Sequence, residues 1–465
     1  MSRSSDDGDV ADASTEPEAG VDRPAGSVAG VTRGVFGFPD RLWQALAERR
    51  PPGLPGPERF RSPLRGPWLT SVFGLVLLLS LPLVFLTGLL DWIAYSPALH
   101  QSIPSHVGLL HLPYFTWPTR PVWLFRLTEG LHVGLGLVLV PVVLAKLWSV
   151  MPKLFAWPAA RSAADLLERL SIICIVGGIV FEMVTGILNI QYDYLFGFNF
   201  YTAHYFGAWV FITGFAVHVS LKLPTMVRSL RSRPIREVLL TSRADTRAEP
   251  PDPDGLVSPD PAPATLSRRG ALAVVGGGSL LVAVLTVGQT IGGVARDAAL
   301  LVPRGRSYGN GPNDFQVNRT AEAASIQPAA TGSTWQLSLS GGPTTVALSR
   351  LQLLDMDQHT AELPIACVEG WSSTQSWTGV RLADLARLAG VRSPVSAHVT
   401  SLERGGVFAE ARLQGNQVLD PDALLALRVN GVDLSPDHGF PARIIIPAAP
   451  GVHCTKWVRT IEFAA

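Results

Sequence analysis

The chain has 465 residues, a length that suggests two or three domains. Only 16% of the residues are charged and 47% are hydrophobic, whereas about a quarter of the residues in a soluble domain are charged. The formal net charge of +1 excludes the basic surface typical of nucleic-acid-binding proteins. Three cysteines are too few for a disulfide-rich scaffold. The composition therefore predicts a membrane protein with a soluble part and no nucleic-acid partner.

The first segment, residues 1–60, is rich in Ser, Asp, Ala, Gly, Glu and Pro and has no sustained apolar pattern. Such a segment buries too little apolar surface to fold, which predicts a disordered cytoplasmic tail. It contains no charged region followed by an apolar stretch, so no cleaved signal peptide is expected.

Five apolar segments follow, at residues 66–90, 122–147, 170–190, 194–221 and 270–295. Each reaches the roughly 20 residues that a helix needs to cross a bilayer in contact with membrane lipid. Basic residues cluster before the first segment, between the second and third, and after the fourth. The positive-inside rule then predicts a cytoplasmic N-terminus. Five crossings would place residues 299–465 outside the plasma membrane of a bacterium.

The fourth and fifth segments are joined by residues 225–266, whose Pro- and Asp-rich stretch predicts a polar cytoplasmic linker. The predicted fifth transmembrane helix, residues 267–296, begins with Ser-Arg-Arg-Gly. Two interpretations remain open for Arg268 and Arg269. They are either ordinary positive-inside anchors or an imperfect twin-arginine signal that exports the following domain already folded.

Two histidines share one face of the predicted fourth helix. His204 and His218 are 14 residues apart, which is about 21 Å along a helix axis and within about 40° around it. This spacing predicts two stacked haems, because buried ionisable residues in transmembrane helices are costly and usually functional. His132, on the second segment, matches His204 in depth and is its expected partner at an outer haem. His218 has no evident partner. The alternative is that each histidine is only hydrogen-bonded by a neighbouring helix.

Residues 68–224 resemble the four-helix di-haem cytochrome b subunits of bacterial hydrogenases and formate dehydrogenases. The resemblance implies an all-α transmembrane bundle over residues 66–224, one or two b-type haems, and quinone or quinol as the membrane partner. In that family the first helix usually supplies a fourth histidine, which this chain lacks. The inner haem is the one that this departure calls into question.

Residues 299–465 have the composition of a soluble domain of about 165 residues, large enough for a core of its own. Strands are predicted at residues 335–339, 345–348, 397–402, 442–447 and 457–463, and a helix at residues 380–388. Together they predict a mixed α+β fold.

One cysteine in this domain lies in an informative context. Cys367 follows an apolar stretch in Leu-Pro-Ile-Ala-Cys-Val-Glu-Gly-Trp, residues 363–371, and Trp-Thr-Gly-Val-Arg-Leu-Ala-Asp-Leu follows at residues 377–385. From the residues alone, a buried structural cysteine is the ordinary alternative. The segment resembles the molybdopterin-binding domain of the sulfite oxidase family, most closely the catalytic subunit of periplasmic methionine sulfoxide reductases and their actinobacterial relatives. The resemblance implies that Cys367 is the catalytic cysteine and the protein ligand of molybdenum, a role that suits a soft thiolate.

Three further segments carry the same resemblance, at residues 313–319, 438–443 and 451–457. It implies that they bind the cofactor through the following side chains: Asn318, Arg319, His438, Arg443, Lys456 and Trp457. Arg and Lys suit a pterin phosphate, since one offers a fork of donors and the other a point charge. A disulfide between Cys454 and Cys367 would abolish this metal site.

Together these features predict a membrane cytochrome b-like module fused to an extracytoplasmic molybdenum enzyme. Electrons would pass between quinone, haem and a substrate outside the cell, either a small molecule or an oxidised protein. The resemblance favours reduction of an S- or N-oxide. The alternatives are an oxidase that passes electrons from a small donor to quinone, and a catalytically inactive binding module.

Overall fold

The computed structural model describes residues 53, 55–96, 106–107, 110–111, 114–157, 163–189, 200–301, 308–406 and 408–465. The predicted disordered tail lies almost entirely outside these residues. The helices of the N-terminal part are α1 (Pro67–Ala94), α2 (Leu124–Val138), α3 (Val140–Leu154), α4 (Ala163–Asn189), α5 (Phe200–Ser232), α6 (Ile235–Leu240), α7 (Arg268–Thr286), α8 (Gly288–Ile291) and α9 (Ala295–Ala298). A short strand pair, β1 (His106–Val107) and β2 (Leu110–His111), lies between α1 and α2.

Four of the described helices or helix runs are long and apolar enough to cross a membrane: α1, residues 165–189 of α4, α5, and residues 268–291. The pair α2 and α3 would make a fifth span, although it is bent by 41°. Apolar side chains such as Leu79 (70% exposed) and Leu280 (66% exposed) point away from the protein. These features are compatible with the predicted membrane protein.

The bend between α2 and α3 departs from the predicted single helix at residues 122–147. The two helices meet at Leu139, and Pro141 lies in the first turn of α3. Proline has no backbone N–H and its ring clashes with the preceding turn, so a helix breaks or bends there. The bend divides the pair into a half that contacts the C-terminal domain and carries His132, called the outer half below, and a half that carries Lys146, called the inner half.

The predicted linker is a packed segment in the structure. Asp254 forms ion pairs with Lys153 of α3 and Lys222 of α5. Glu249 accepts a hydrogen bond from the Trp68 backbone N–H at 3.1 Å and lies 3.7 Å from Arg268. These groups tie the segment to the inner ends of the helices, because carboxylates spaced along it meet basic side chains there. This stretch of the predicted linker is thus packed against the helices, and its cytoplasmic position stays a prediction.

The two arginines at the start of α7 take part in the same packing. Arg268 is buried and donates to the backbone carbonyls of Pro63 (3.3 Å) and Arg247 (2.9 Å). Arg269 donates to the Leu239 carbonyl at 3.1 Å. These contacts explain the pair structurally and leave its role in export a prediction.

The C-terminal domain contains two five-stranded sheets. Its elements are β3 (Gln336–Ser340), β4 (Val346–Ser349), α10 (Arg350–Asp355), β5 (His359–Ala366), β6 (Ser372–Arg381), α11 (Leu382–Leu388), β7 (Ser396–Ser401), β8 (Glu410–Gln414), α12 (Gly415–Leu419), β9 (Leu424–Val429), β10 (Val432–Asp433), β11 (Arg443–Ile445) and β12 (Val458–Ala464). One sheet has the order β10-β9-β6-β5 with β11 also paired to β9, and the other has the order β4-β3-β12-β7-β8.

Within these two sheets β12 and β3 are parallel and the other pairs are antiparallel. Fully buried side chains such as Leu337, Val380 and Ile461 join the sheets in one core. The α+β prediction is confirmed, and the predicted strands lie within two residues of their observed positions at most ends.

Candidate functional site

The outer half of the helical bundle contains a cavity of about 210 Å³. His132 of α2 and His204 of α5 face each other across it, with ring centroids 6.0 Å apart and planes at 89°. Two imidazoles that hold one metal through bonds of about 2.0 Å have centroids roughly 6 Å apart. The structure thus brings together the pair of histidines that depth had suggested, at a separation that fits one iron.

The second nitrogen of each ring is already engaged. His132 Nδ1 lies 2.9 Å from the Val84 carbonyl oxygen, and His204 Nδ1 lies 3.0 Å from both Glu182 Oε2 and Thr185 Oγ1. A carbonyl or carboxylate that accepts from Nδ1 leaves the Nε2 lone pair available, which is the usual arrangement for a metal-binding histidine. The surroundings of both rings therefore fit axial ligands of a haem.

Glycines make room for the two rings. A Cβ at Gly88 of α1 would lie 2.7 Å from His132 Cε1, and one at Gly186 of α4 would lie 3.4 Å from His204 Cε1. Gly136 also lines the cavity and has open space beside it. The sequence analysis missed Gly88 and Gly186, although Gly88 and Gly74 repeat on α1 the 14-residue spacing of His204 and His218.

His218 lies in a separate inner cavity, and the structure does not bring another histidine to it. Among the described side chains that line this cavity, His218 is the one imidazole. The predicted second haem site is therefore incomplete as a bis-histidine site in the described part of the chain.

Cys367 lies directly after β5, in a tight turn. Its N–H donates to the Trp371 carbonyl at 3.0 Å, and the Gly370 N–H donates to the Cys367 carbonyl at 2.8 Å. Gly370 has φ +83°, a conformation that favours glycine. The Cys367 side chain is buried in a cluster with Trp377 and Cys454. All three cysteines lie in the described residues and no disulfide joins them, so the structure lacks the bond that would abolish the metal site.

Two buried cations lie close to this cluster. Arg443 places its guanidinium 5.1 Å from the centre of the Trp377 ring and donates to the His438 and Cys454 carbonyls, both at 3.2 Å. Lys456 donates to the carbonyls of Asp437 (3.0 Å) and Arg319. Burial lowers the pKa of Arg443 to about 10. Burial, together with the charge of Arg443, lowers the pKa of Lys456 to about 7.

Neither cation forms an ion pair with a carboxylate among the described residues, and Arg443 Nε is buried without a hydrogen-bond partner there. Buried charges are normally paired. A phosphate group would supply the missing anion and accept from the unused donors. Arg443 and Lys456 therefore fit the phosphate of a molybdopterin.

The other predicted cofactor residues surround this pair. His438 stacks on Phe315 at 3.6 Å and its Nε2 contacts the Asn313 carbonyl at 2.9 Å. Burial lowers the pKa of His438 to about 3, which keeps the ring neutral. His438 thus holds residues 313–315 against the short helical turn Pro436–His438.

Trp457, with φ +52°, donates from Nε1 to the Pro436 carbonyl at 2.7 Å. Arg319 pairs with Glu403 at 2.7 Å, and Asn318 Oδ1 accepts from the Arg319 N–H at 2.9 Å. The structure gathers these residues around Lys456. Their contact with a cofactor stays a prediction.

The outer cavity extends to the cysteine turn. Val368, the residue after Cys367, is part of the cavity wall together with Tyr95 and Tyr201. The two tyrosine hydroxyls are 2.9 Å apart. The His453 ring also hydrogen-bonds to the Tyr95 main chain. Sequence analysis missed the two tyrosines, because no local pattern reports a contact between domains.

Hydrogen bonds hold the domain against the bundle. Gln289 Nε2 donates to the Glu369 carbonyl at 3.2 Å, and Thr290 donates to the Gly370 carbonyl. Three more bonds join the two parts: Arg296 to the Ser372 carbonyl at 2.9 Å, Trp117 Nε1 to the Ala448 carbonyl at 2.7 Å, and Asn416 to the Trp117 carbonyl at 2.8 Å. The cysteine turn is therefore fixed at the mouth of the outer cavity.

Comparison with known families agrees with this geometry. Residues 324–465 match the protein family described as the oxidoreductase molybdopterin binding domain. This part of the chain is therefore similar to the molybdopterin-binding domain of oxidoreductases, sulfite oxidases among them.

Individual relatives are similar over about a hundred residues. The uncharacterized oxidoreductase YuiH of Bacillus subtilis is 37% identical over 107 residues, which are 23% of this chain and 52% of that protein. The NAD(P)H nitrate reductase of Hordeum vulgare is 38% identical over 104 residues, 20% of this chain and 12% of that protein. Mitochondrial sulfite oxidase of Rattus norvegicus is 36% identical over 100 residues, 20% of this chain and 18% of that protein. The chain thus spans at most about half the length of these relatives.

Proposed function

We propose that this chain is a membrane-bound, molybdopterin-dependent oxidoreductase that reduces an S- or N-oxide outside the cell with electrons from membrane quinol. The observation that carries the proposal is the contact between two sites. Val368, which belongs to the cysteine turn of the molybdopterin domain, lines the histidine cavity of the bundle.

In the C-terminal domain, Cys367 would hold molybdenum while Arg443 and Lys456 hold the pterin phosphate. Molybdenum, when bound, exchanges an oxygen atom and two electrons with a substrate. The buried position of Cys367 and its neighbours Trp377 and Cys454 keeps bulk water away from the thiolate. Burial raises the pKa of Cys454, so this second thiol stays protonated and competes poorly as a ligand.

In the bundle, His132 and His204 would hold one b-type haem, each oriented through its Nδ1 contact. Tyr95 and Tyr201, whose rings are in edge contact, line the same cavity as Val368 of the cysteine turn. A continuous packed path of this kind suits the transfer of single electrons between the two sites. Quinol in the membrane would supply electrons to the haem, at the end of that path away from the cysteine turn.

Metal content tests the assignment of both sites. Detergent-purified full-length protein, from a host that makes the cofactor, is expected to contain about one molybdenum and one iron per chain. Cys367→Ala should lose molybdenum and keep iron, and the control Cys454→Ala should keep both. The absence of molybdenum from the wild-type protein would refute the enzyme and leave the inactive binding module.

The direction of electron flow has its own test. The absorbance of reduced haem should rise on addition of decylubiquinol and fall on addition of methionine sulfoxide or trimethylamine N-oxide. Haem reduction by sulfite, followed by oxidation with decylubiquinone, would instead support the oxidase.

A further inference from the structure

The inner half of the bundle contains a second cavity, of about 190 Å³. It lies next to the outer cavity, because Leu81, Ile179 and Phe211 form walls of both. Most of its lining is aliphatic. The polar side chains are grouped towards the cytoplasmic end, where Lys146 of α3 and His218 of α5 both face the cavity.

The inner cavity repeats the outer one at an interval of 14 residues on α1, on α5 and on the bent pair formed by α2 and α3. Gly74 and Gly88 are 14 residues apart on α1, as are His204 and His218 on α5, and Lys146 follows His132 by the same interval. Lys146 therefore stands in the place that corresponds to His132. Its ammonium donates to the Thr70 carbonyl at 2.8 Å, and a lysine has two further donors.

The polar groups of this cavity that keep unused hydrogen-bonding capacity include the Lys146 ammonium, one ring nitrogen of His218 and the Thr70 hydroxyl, which is buried without a partner among the described residues. His218 Nδ1 is buried and has no hydrogen-bond partner among the described residues, unlike Nδ1 of His132 and His204. A buried polar atom without a partner costs free energy, which a ligand that supplies the partner recovers. A small ligand with two oxygen atoms would satisfy both Lys146 and His218.

We propose that this inner cavity binds the head group of a quinone or quinol. Lys146 would donate to one ring oxygen, and His218 Nδ1 would bond to the other. The aliphatic walls suit the apolar ring and tail. The inference rests on the proposed function for the electron transfer that follows binding, but the site itself is defined by these side chains.

The way into the cavity also favours a ligand that comes from the lipid. Towards the cytoplasm, Asp254 and Leu256 of the packed segment between α6 and α7 close the cavity, and Lys153, Lys222 and Glu168 join Asp254 in one cluster of ion pairs. On the lipid side the lining includes Leu223, which is 41% exposed. A quinone dissolved in the bilayer would enter from that side.

A second haem is the competing occupant, and the lining does not complete its ligand set. Two axial ligands must approach an iron from opposite faces of the porphyrin. Met226, which also lines the cavity, lies on the same helix as His218 and eight residues away, or about 12 Å along the axis. The position opposite His218 is held by Lys146, which is bonded to the main chain of α1.

Equilibrium binding of decylubiquinone to the detergent-purified full-length protein, followed by ultrafiltration, tests the site without turnover. The wild-type protein should bind about one molecule per chain. Lys146→Met and His218→Leu should each weaken binding by about tenfold or more, since each removes a buried hydrogen-bond partner. His218→Gln should restore part of the affinity, because its amide again offers a polar partner. The control Ser220→Ala, which removes an exposed hydroxyl on the same helix, should change affinity by less than twofold.

The haem content of every variant is measured in parallel and should stay at one per chain. Unchanged affinity in Lys146→Met and His218→Leu, or no binding to the wild-type protein, would overturn the quinone site. A second haem in the wild type that disappears in His218→Leu would overturn it in favour of haem. Loss of molybdenum or of the outer haem from the wild type, with quinone binding still dependent on Lys146, would refute the proposed function and leave this inference standing.

Discussion

The outer and inner cavities of the bundle lie on the same helices and have similar volumes, about 210 and 190 Å³, but their polar pairs differ. In the outer cavity both histidines have a partner at Nδ1 and face each other. In the inner cavity one histidine has an unpartnered Nδ1 and faces a lysine. Two cavities that repeat the same 14-residue interval therefore need not bind the same ligand. The hydrogen-bond partners of the histidine and lysine nitrogen atoms determine which ligand each cavity suits.

The largest expected difference between the two cavities is the effect of histidine substitutions on haem content. His132→Ala or His204→Ala should abolish haem binding, because each removes one of the two proposed iron ligands. His218→Ala should leave the haem content unchanged. Haem per chain, measured as the pyridine complex, checks this. If His218→Ala lost haem and His132→Ala kept it, the assignment of the two cavities would be reversed.

Glycines give a matched pair of smaller changes. In Gly88→Ala the new methyl would lie 2.7 Å from His132 Cε1, on a ring already held by Val84, so the ring must move. In Gly74→Ala it would lie 3.2 Å from Lys146 Nζ, the end of a flexible side chain. Haem titration of the haem-free protein should show about tenfold weaker binding for Gly88→Ala and less than a twofold change for Gly74→Ala. Equal effects in the two variants would contradict the fit at His132.

Of the two cavities, the outer one is lined by a residue of the molybdopterin domain, Val368. A substitution at Gly370 tests the importance of this contact. A Cβ at Gly370 would lie 2.8 Å from Val133 Cγ1 of α2, at φ +83°. Gly431 has the same φ and nothing within 4 Å, so Gly431→Ala controls for backbone strain. Gly370→Ala should slow oxidation of reduced haem by methionine sulfoxide by about three- to tenfold, with haem and molybdenum content unchanged. Stopped-flow absorbance measures the rate, and a rate like that of Gly431→Ala would show that the contact does not matter.

The smallest expected effect concerns the second buried lysine, Lys456, whose expected partner is a phosphate. Its pKa of about 7 in the folded protein lies below the unfolded value near 10.5. Without cofactor, folding therefore releases a proton above pH 7, and stability is lowest below that pH and rises between pH 7 and 10. The slope is about 1.4 kcal/mol per pH unit, or roughly 3–6 °C in melting temperature for a domain of this size.

The melting temperature of cofactor-free protein should accordingly rise between pH 7.5 and 8.5, a range above the titration of His438 and His453. Lys456→Met should remove the rise. Protein loaded with cofactor should also lack it, since a phosphate keeps the ammonium charged. A rise that persists in Lys456→Met would assign it to another group.

Much of the fold was predictable because its signals are local. Apolar length marked the spans, alternation marked the strands, and a cysteine in a dense motif marked the turn after β5. Pro141 was also visible and would have located the bend between α2 and α3. The pairing of His132 with His204 was predicted from depth alone, and the structure places their ring centroids 6.0 Å apart.

Other features depend on contacts that no local pattern encodes. The Asp-rich segment before α7 looked like a spacer, because its carboxylates find their cations on α3 and α5 only in three dimensions. Tyr95 and Tyr201 belong to no local motif that separates them from other aromatic residues near the helix ends. The close approach of Gly370 to Val133 joins two parts of the chain that are more than two hundred residues apart.

The docking bonds have a consequence for how the two halves can evolve. In four of them, the side chains of Trp117, Gln289, Thr290 and Arg296 donate to main-chain carbonyls of the molybdopterin domain. A carbonyl oxygen is the same in every amino acid, so side chains on the domain's docking loops are free to drift without loss of these bonds. At the domain residues that supply these carbonyls, other than Gly370, substitutions should therefore be tolerated more readily than at the four donors. An interface of this kind lets the substrate-binding face of the domain diversify while the contact proposed for electron transfer is kept.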